Sequence, residues 1–110
     1  MKYIFPLIVG AMVQFAPMAI SANAADAVAE GRALLEQNCS RCHAIDAVGD
    51  SPHEQAPPFR NILKIYPASS LEEALAEGLV TGHPDMPEFV FPATQVDSII
   101  AYLRTLEVSP

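Results

Sequence analysis

The chain has 110 residues, enough for one small domain, and sets thirteen acidic side chains against six basic ones for a formal charge of −7. That balance argues against nucleic acid or an anionic lipid surface as a partner. The 51% hydrophobic content is inflated by the apolar start of the chain, so it does not indicate a membrane protein.

Residues 1–24 read as an export signal. Lys2 supplies the positive n-region, an apolar run follows from Tyr3 to Ile20, and Ala22-Asn23-Ala24 gives a small-x-small cleavage pattern. The rival is an uncleaved membrane anchor, since the run is long for a signal core. Gln14, Pro6 and Pro17 interrupt it, however, and no stop-transfer charges follow. Cleavage is expected after Ala24, which leaves one domain at residues 25–110. All thirteen carboxylates and five of the basic side chains lie in that 86-residue domain, so its charge is −8. Domains this small have small cores and are commonly stapled by a metal or a cross-link.

Ala25 to Asn38 reads as the first helix, with Val28, Gly31, Leu34 and Leu35 at helical spacing. Asp26 and Glu30 sit near its start, where the macrodipole favours negative charge. Gly31 costs about 1 kcal/mol inside a helix relative to alanine. It is therefore either tolerated on the surface or needed where another helix crosses.

Cys39-Ser40-Arg41-Cys42-His43 follows. C-x-x-C-H is the attachment signature of c-type haem. Two thiols add to the two vinyl groups on one porphyrin edge, and the next residue presents an imidazole to the iron. Two rival readings use the same pair. A thioredoxin-like redox pair wants a βαβ context, which this chain lacks. A zinc site needs four ligands, so His43 and either His53 or His83 would have to complete the set.

Ala44 to Phe59 is irregular, because Gly49, Pro52, Pro57 and Pro58 exclude a long helix. Phe59 to Ile65 is a short helix ended by Tyr66-Pro67. Ser70-Leu71-Glu72-Glu73 reads as a capping box opening a helix through Leu79, with Leu71, Ala74, Leu75, Gly78 and Leu79 on one face and Gly82 beyond its end. Pro84, Pro87 and Pro92 make His83 to Pro92 a loop. Thr94 to Asp97 offers a second capping box, and its helix turns Val96, Ile99, Ile100, Leu103 and Leu106 toward a core. Strand signals are weak throughout, so the fold class is all-α.

If haem is attached, His43 is one iron ligand, and its second ring nitrogen calls for an acceptor. The carbonyl of Pro57 or Pro58 is a candidate. Met1, Met12 and Met18 lie in the leader, so Met86 is the one methionine of the domain. It sits in a proline-stiffened loop, and Pro87 biases it toward extended backbone rather than a helical core stripe. Met/His pairs are used in cytochromes c, which makes Met86 the sixth-ligand candidate. His83 is its rival, and His53 reads as a surface loop residue.

Taken together, these residues resemble a bacterial class I cytochrome c over nearly all of residues 26–107. The matching features are Gly31, Leu35 and Cys39 at steps of four, CSRCH, and Ala56-Pro57-Pro58-Phe59. Gly82-His83-Pro84-Asp85-Met86-Pro87 and Ile99-Ile100-Ala101-Tyr102-Leu103 complete them. The resemblance implies about four helices wrapped around one haem c held covalently by Cys39 and Cys42, with His43 and Met86 as axial iron ligands. It also implies that Pro57 holds His43, and that the first and last helices cross at Gly31 near Tyr102 and Ile99. Leu35 stands where the family often has an aromatic residue. The acidic charge departs from the basic carriers of the family, so the resemblance does not name a partner.

The function expected is a periplasmic electron carrier that is not an enzyme and has no small-molecule substrate. It would be a monomer cycling its iron between Fe(III) and Fe(II). Its partners would be redox proteins, a dehydrogenase or bc1-type complex on one side and an oxidase or reductase on the other. The alternatives are an open-iron peroxidase or gas sensor, and a thiol–disulfide oxidoreductase using Cys39 and Cys42.

Overall fold

The structure is a computed structural model that describes residues 2–18, 22–78 and 83–108. Its described residues hold four helices and no strand: α1 (Ala22–Asn38), α2 (Phe59–Ile65), α3 (Ala68–Glu77) and α4 (Ala93–Glu107). The all-α expectation holds. Residues 2–18 form no helix or strand. Among the described residues, no helix is long and apolar enough to cross a membrane.

The first helix starts at Ala22, three residues before the expected Ala25. Alanine has the highest helix propensity, so the Ala-rich approach joins the helix. The last helix supplies most of the core. Val96, Ile99, Ile100, Leu103 and Leu106 are all buried, joined by Leu35 of α1, Leu63 of α2 and Ala68 of α3. Leu35 is about 1% exposed, so a leucine fills its place in the core without leaving it open to solvent.

The pairing of α1 with α4 sets the frame. A Cβ built on Gly31 would fall inside the van der Waals envelope of the Ser98 carbonyl, 2.5 Å from its carbon and 3.0 Å from the Ile99 nitrogen. Gly31 therefore lies at the crossing, as the family resemblance implies. Its neighbour is the backbone of α4 rather than the side chains of Tyr102 or Ile99. Beside it, the buried Ser98 hydroxyl donates to Glu30 Oε2 at 3.0 Å, a polar contact between the same two helices.

Both expected capping boxes are overturned. The third helix opens at Ala68 after Pro67, and Ser70 already lies in its first turn, its N–H bonded to the Pro67 carbonyl at 2.8 Å. The side chain that meets the exposed end of this helix comes from α4: Glu107 accepts the Ala68 N–H at 2.5 Å. A helix start leaves unsatisfied N–H groups, and a distant carboxylate takes one of them. The last helix likewise opens at Ala93 after Pro92, with Thr94 inside and no side-chain cap. Pro58, Pro67 and Pro92 precede α2, α3 and α4 with φ between −55 and −60°, which pre-sets the chain for helix entry. The third helix ends at Glu77 because Gly78 takes φ +111°, a conformation that side chains rarely adopt. Gly78 therefore caps the helix instead of continuing its face. Leu79 and Gly82 lie outside the described residues.

A polar network pins the loop after CSRCH to both long helices. Arg32 on α1 grips Asp46 with two hydrogen bonds of 3.1 Å. Tyr102 on α4 donates to the Ile45 carbonyl at 2.7 Å and lies 3.1 Å from Asp46 Oδ1. Burial, reinforced by the Asp46 carboxylate, pushes the Tyr102 hydroxyl up to about 12 from its ordinary 10. The folded state thus holds a proton that the unfolded chain releases above pH 10. Tyr102 therefore supports the fold fully below pH 10 and loses that support as pH rises through about 12. Tyr102→Phe should cost about 1–2 kcal/mol at pH 7 through the stranded carbonyl. It should also flatten the loss of stability between pH 10 and 12. Urea titrations of both proteins across that range test the two effects together.

Candidate functional site

The site grows out of the end of α1. Cys39 and Ser40 donate their N–H groups to the Leu35 carbonyl at 2.8 and 3.0 Å. The N–H groups of Cys42 and His43 then return to the Cys39 carbonyl at 3.1 and 2.9 Å. The chain therefore keeps turning past the helix end. Positions i, i+3 and i+4 of such a turn face the same way, so the Cys39 and Cys42 thiols and the His43 ring share one side. Both thiols are unbridged and half-buried.

His43 Nδ1 donates to the Pro57 carbonyl at 2.7 Å. A carbonyl only accepts, so in the neutral ring Nδ1 carries the proton and Nε2 offers its lone pair. Of the two prolines considered, Pro57 is the one that meets the ring. Phe59 packs its own ring 5.3 Å from the imidazole, and its N–H is fixed to the Ala44 carbonyl at 3.0 Å. The histidine is thus held on both sides by one short stretch, Pro57 to Phe59.

Burial, with a smaller contribution from Cys42, pushes the Cys39 thiol up to about 11. Such a thiol is almost wholly protonated at neutral pH, whereas disulfide-exchange enzymes use a lowered one. Among the described residues, no group of three or more His, Cys, Asp or Glu is set to hold a metal ion by itself. Neither observation favours the exchange or zinc readings of the cysteine pair.

Met86 is half-buried in the loop between α3 and α4, with its N–H on the His83 carbonyl at 3.2 Å. That loop is clasped to the segment following CSRCH. His53 Nε2 lies 3.6 Å from Asp85 Oδ2, the His53 and His83 rings meet edge to face at 5.9 Å, and His83 Nε2 bonds Gln55 Oε1. His53 in turn donates its N–H to the Cys42 carbonyl at 3.2 Å. Contacts therefore run unbroken from Cys42 through His53 and His83 to Met86. His53 is half-buried in this clasp, which corrects its reading as a surface loop residue. His83, the rival ligand, has both ring nitrogens engaged, since Nδ1 accepts the Asp85 N–H at 3.3 Å.

Arg60 went unnoticed in the sequence. It follows Phe59 directly, and its Nη1 is buried with no hydrogen-bond partner. Two thiols on one side, an imidazole with a free Nε2 and a buried cation suit a planar, iron-bearing, anionic group such as haem. Against known proteins, a family model described as Cytochrome c matches residues 28–107. No curated protein and no solved structure matches significantly.

Proposed function

The chain belongs to the cytochrome c family, and on that premise we propose that it is a periplasmic electron carrier with both axial positions of its iron closed by its own side chains. Membership brings a covalently held haem c and a place in electron transport among redox proteins. When bound, haem c supplies a one-electron Fe(III)/Fe(II) couple. Cys39 and Cys42 hold the porphyrin edge, and His43 presents Nε2 to the iron. Pro57 fixes the tautomer and the plane of that ring through its carbonyl, an outer contact of the kind that raises ligand basicity. Met86 offers a soft thioether from the opposite side, which favours the reduced state.

The observation that carries this reading is the His43–Pro57 hydrogen bond of 2.7 Å. It orients the imidazole as an iron ligand needs before any iron is bound. The engagement of His83 by Gln55 and Asp85 supports Met86 as the opposite ligand. With both positions filled, the iron has no open site for a substrate, so the protein is a carrier and not an enzyme. The leader at residues 1–24 directs export and is removed after Ala24. The resulting monomer carries −8, and its donor and acceptor are redox proteins with basic docking patches rather than nucleic acid or small molecules.

Stopped-flow oxidation by a cationic and by an anionic redox protein tests this across a salt series. The cationic partner should react fast at low salt and slow down as salt screens the attraction. The anionic partner should show the opposite trend. The reduced protein should bind no carbon monoxide near neutral pH, and its intact mass should equal residues 25–110 plus one haem. Rapid carbon monoxide binding would mean an open iron and would sink the carrier reading.

A further inference from the structure

We propose that Arg60 is the binding residue for a haem propionate, pairing its guanidinium with that carboxylate beside His43. The reading rests on haem being attached at Cys39 and Cys42. Among the described residues, Arg60 Nη1 is the only buried side-chain nitrogen or oxygen without a hydrogen-bond partner. A buried cation left unpaired is costly, more so than a neutral group. The fold does little to relieve it from within. The ion pairs of the described residues join Arg32 to Glu36 and Asp46, and His53 to Asp85, and none reaches Arg60.

Its location says what the partner is. Arg60 stands in the first turn of α2, one residue after Phe59, whose ring lies against His43 and whose N–H is tied to Ala44. Pro57, three residues earlier, holds the same imidazole. The root of Arg60 is therefore fixed to the wall that positions the iron ligand. The group that the family brings to this wall carries two carboxylates. A guanidinium fork matches a carboxylate in shape and pairs with it through two parallel hydrogen bonds. The surrounding domain has thirteen acidic side chains against five basic ones, so an ionised propionate needs a local cation to stay charged. Arg60 supplies it, and its positive charge offsets the carboxylate that would otherwise favour Fe(III).

The test begins with the intact mass of the isotope-labelled protein, followed by nuclear Overhauser spectra of its reduced, diamagnetic form. The expected result is a cross-peak between the Arg60 side-chain protons and the propionate methylene protons. Redox titrations of Arg60→Gln and Arg60→Lys between pH 5 and 8 read the charge. Arg60→Gln should lower the midpoint potential at pH 8. Its potential should then climb as pH falls and the unpaired propionate protonates, while the wild type and Arg60→Lys stay flat. If Arg60→Gln fails to accumulate, the cross-peak in the wild type decides alone. A haem mass with no cross-peak, or an Arg60→Gln profile equal to the wild type, overturns the role of Arg60 and leaves the attachment reading intact. A mass without haem overturns both.

Discussion

Gly31→Ala should destabilise the protein, and Gly31→Val should destabilise it further, by roughly 1–3 kcal/mol or more through overpacking. The alanine variant is the sharper test because two effects oppose each other. On propensity alone, alanine in a helix interior gains about 1 kcal/mol over glycine. Against that, the first added carbon meets the backbone carbonyl of Ser98, not the tip of a flexible side chain. A backbone inside a helix yields only if the whole helix shifts, and α4 carries most of the core. The clash should therefore win, and the urea midpoint should fall with an unchanged slope. A gain in stability would mean that α1 and α4 do not touch at Gly31, and it would remove the frame on which the site is built.

What could be read in advance was local. The bounds of α2 follow from Pro58 and from Tyr66-Pro67, which bracket seven residues and leave no other choice. The buried face of α4 follows from spacing, and CSRCH carries its chemistry within five residues. Contacts between distant segments were not readable. The start of α3 was misread because Ser70 and Glu73 fit a local capping pattern, while the group that meets its first N–H is Glu107, 39 residues away. Tyr102 looked like a crossing residue. Its hydroxyl instead reaches Ile45 and Asp46, which Arg32 also holds. Nothing near these residues in sequence points to that network. Arg60 is the extreme case, because its significance lies in the absence of a partner, and a partner can only be missed once the fold is known.

The haem site divides in the same way. His43 and Pro57 are fourteen residues apart, and two prolines qualified until the carbonyl of Pro57 was found 2.7 Å from Nδ1. The clasp between residues 53–55 and 83–85 was unreadable for another reason. Each of His53, Gln55, His83 and Asp85 is an ordinary loop residue by itself. Together they join the two loops that flank the proposed iron axis.

Met86→Ala should convert a closed iron into an open one. The wild-type oxidised protein should show the weak far-red absorption band of a sulfur–iron bond, and the variant should lose it. Loss of the thioether removes a ligand that favours Fe(II), so the midpoint potential should fall. Carbon monoxide, excluded from the reduced wild type, should bind the reduced variant. The fold should survive, because Met86 lies in the loop between α3 and α4, outside the cluster of buried residues, and the clasp beside it uses other side chains. His83 provides the control. If it replaced the methionine, it would have to abandon both Gln55 and Asp85, so His83→Ala should leave the far-red band of the wild type in place. A band that survives Met86→Ala but disappears in His83→Ala would contradict the assignment of that band to Met86. A wild type with no band at all would transfer the sixth position to His83, and the broken contacts with Gln55 and Asp85 would then be the cost of that ligation.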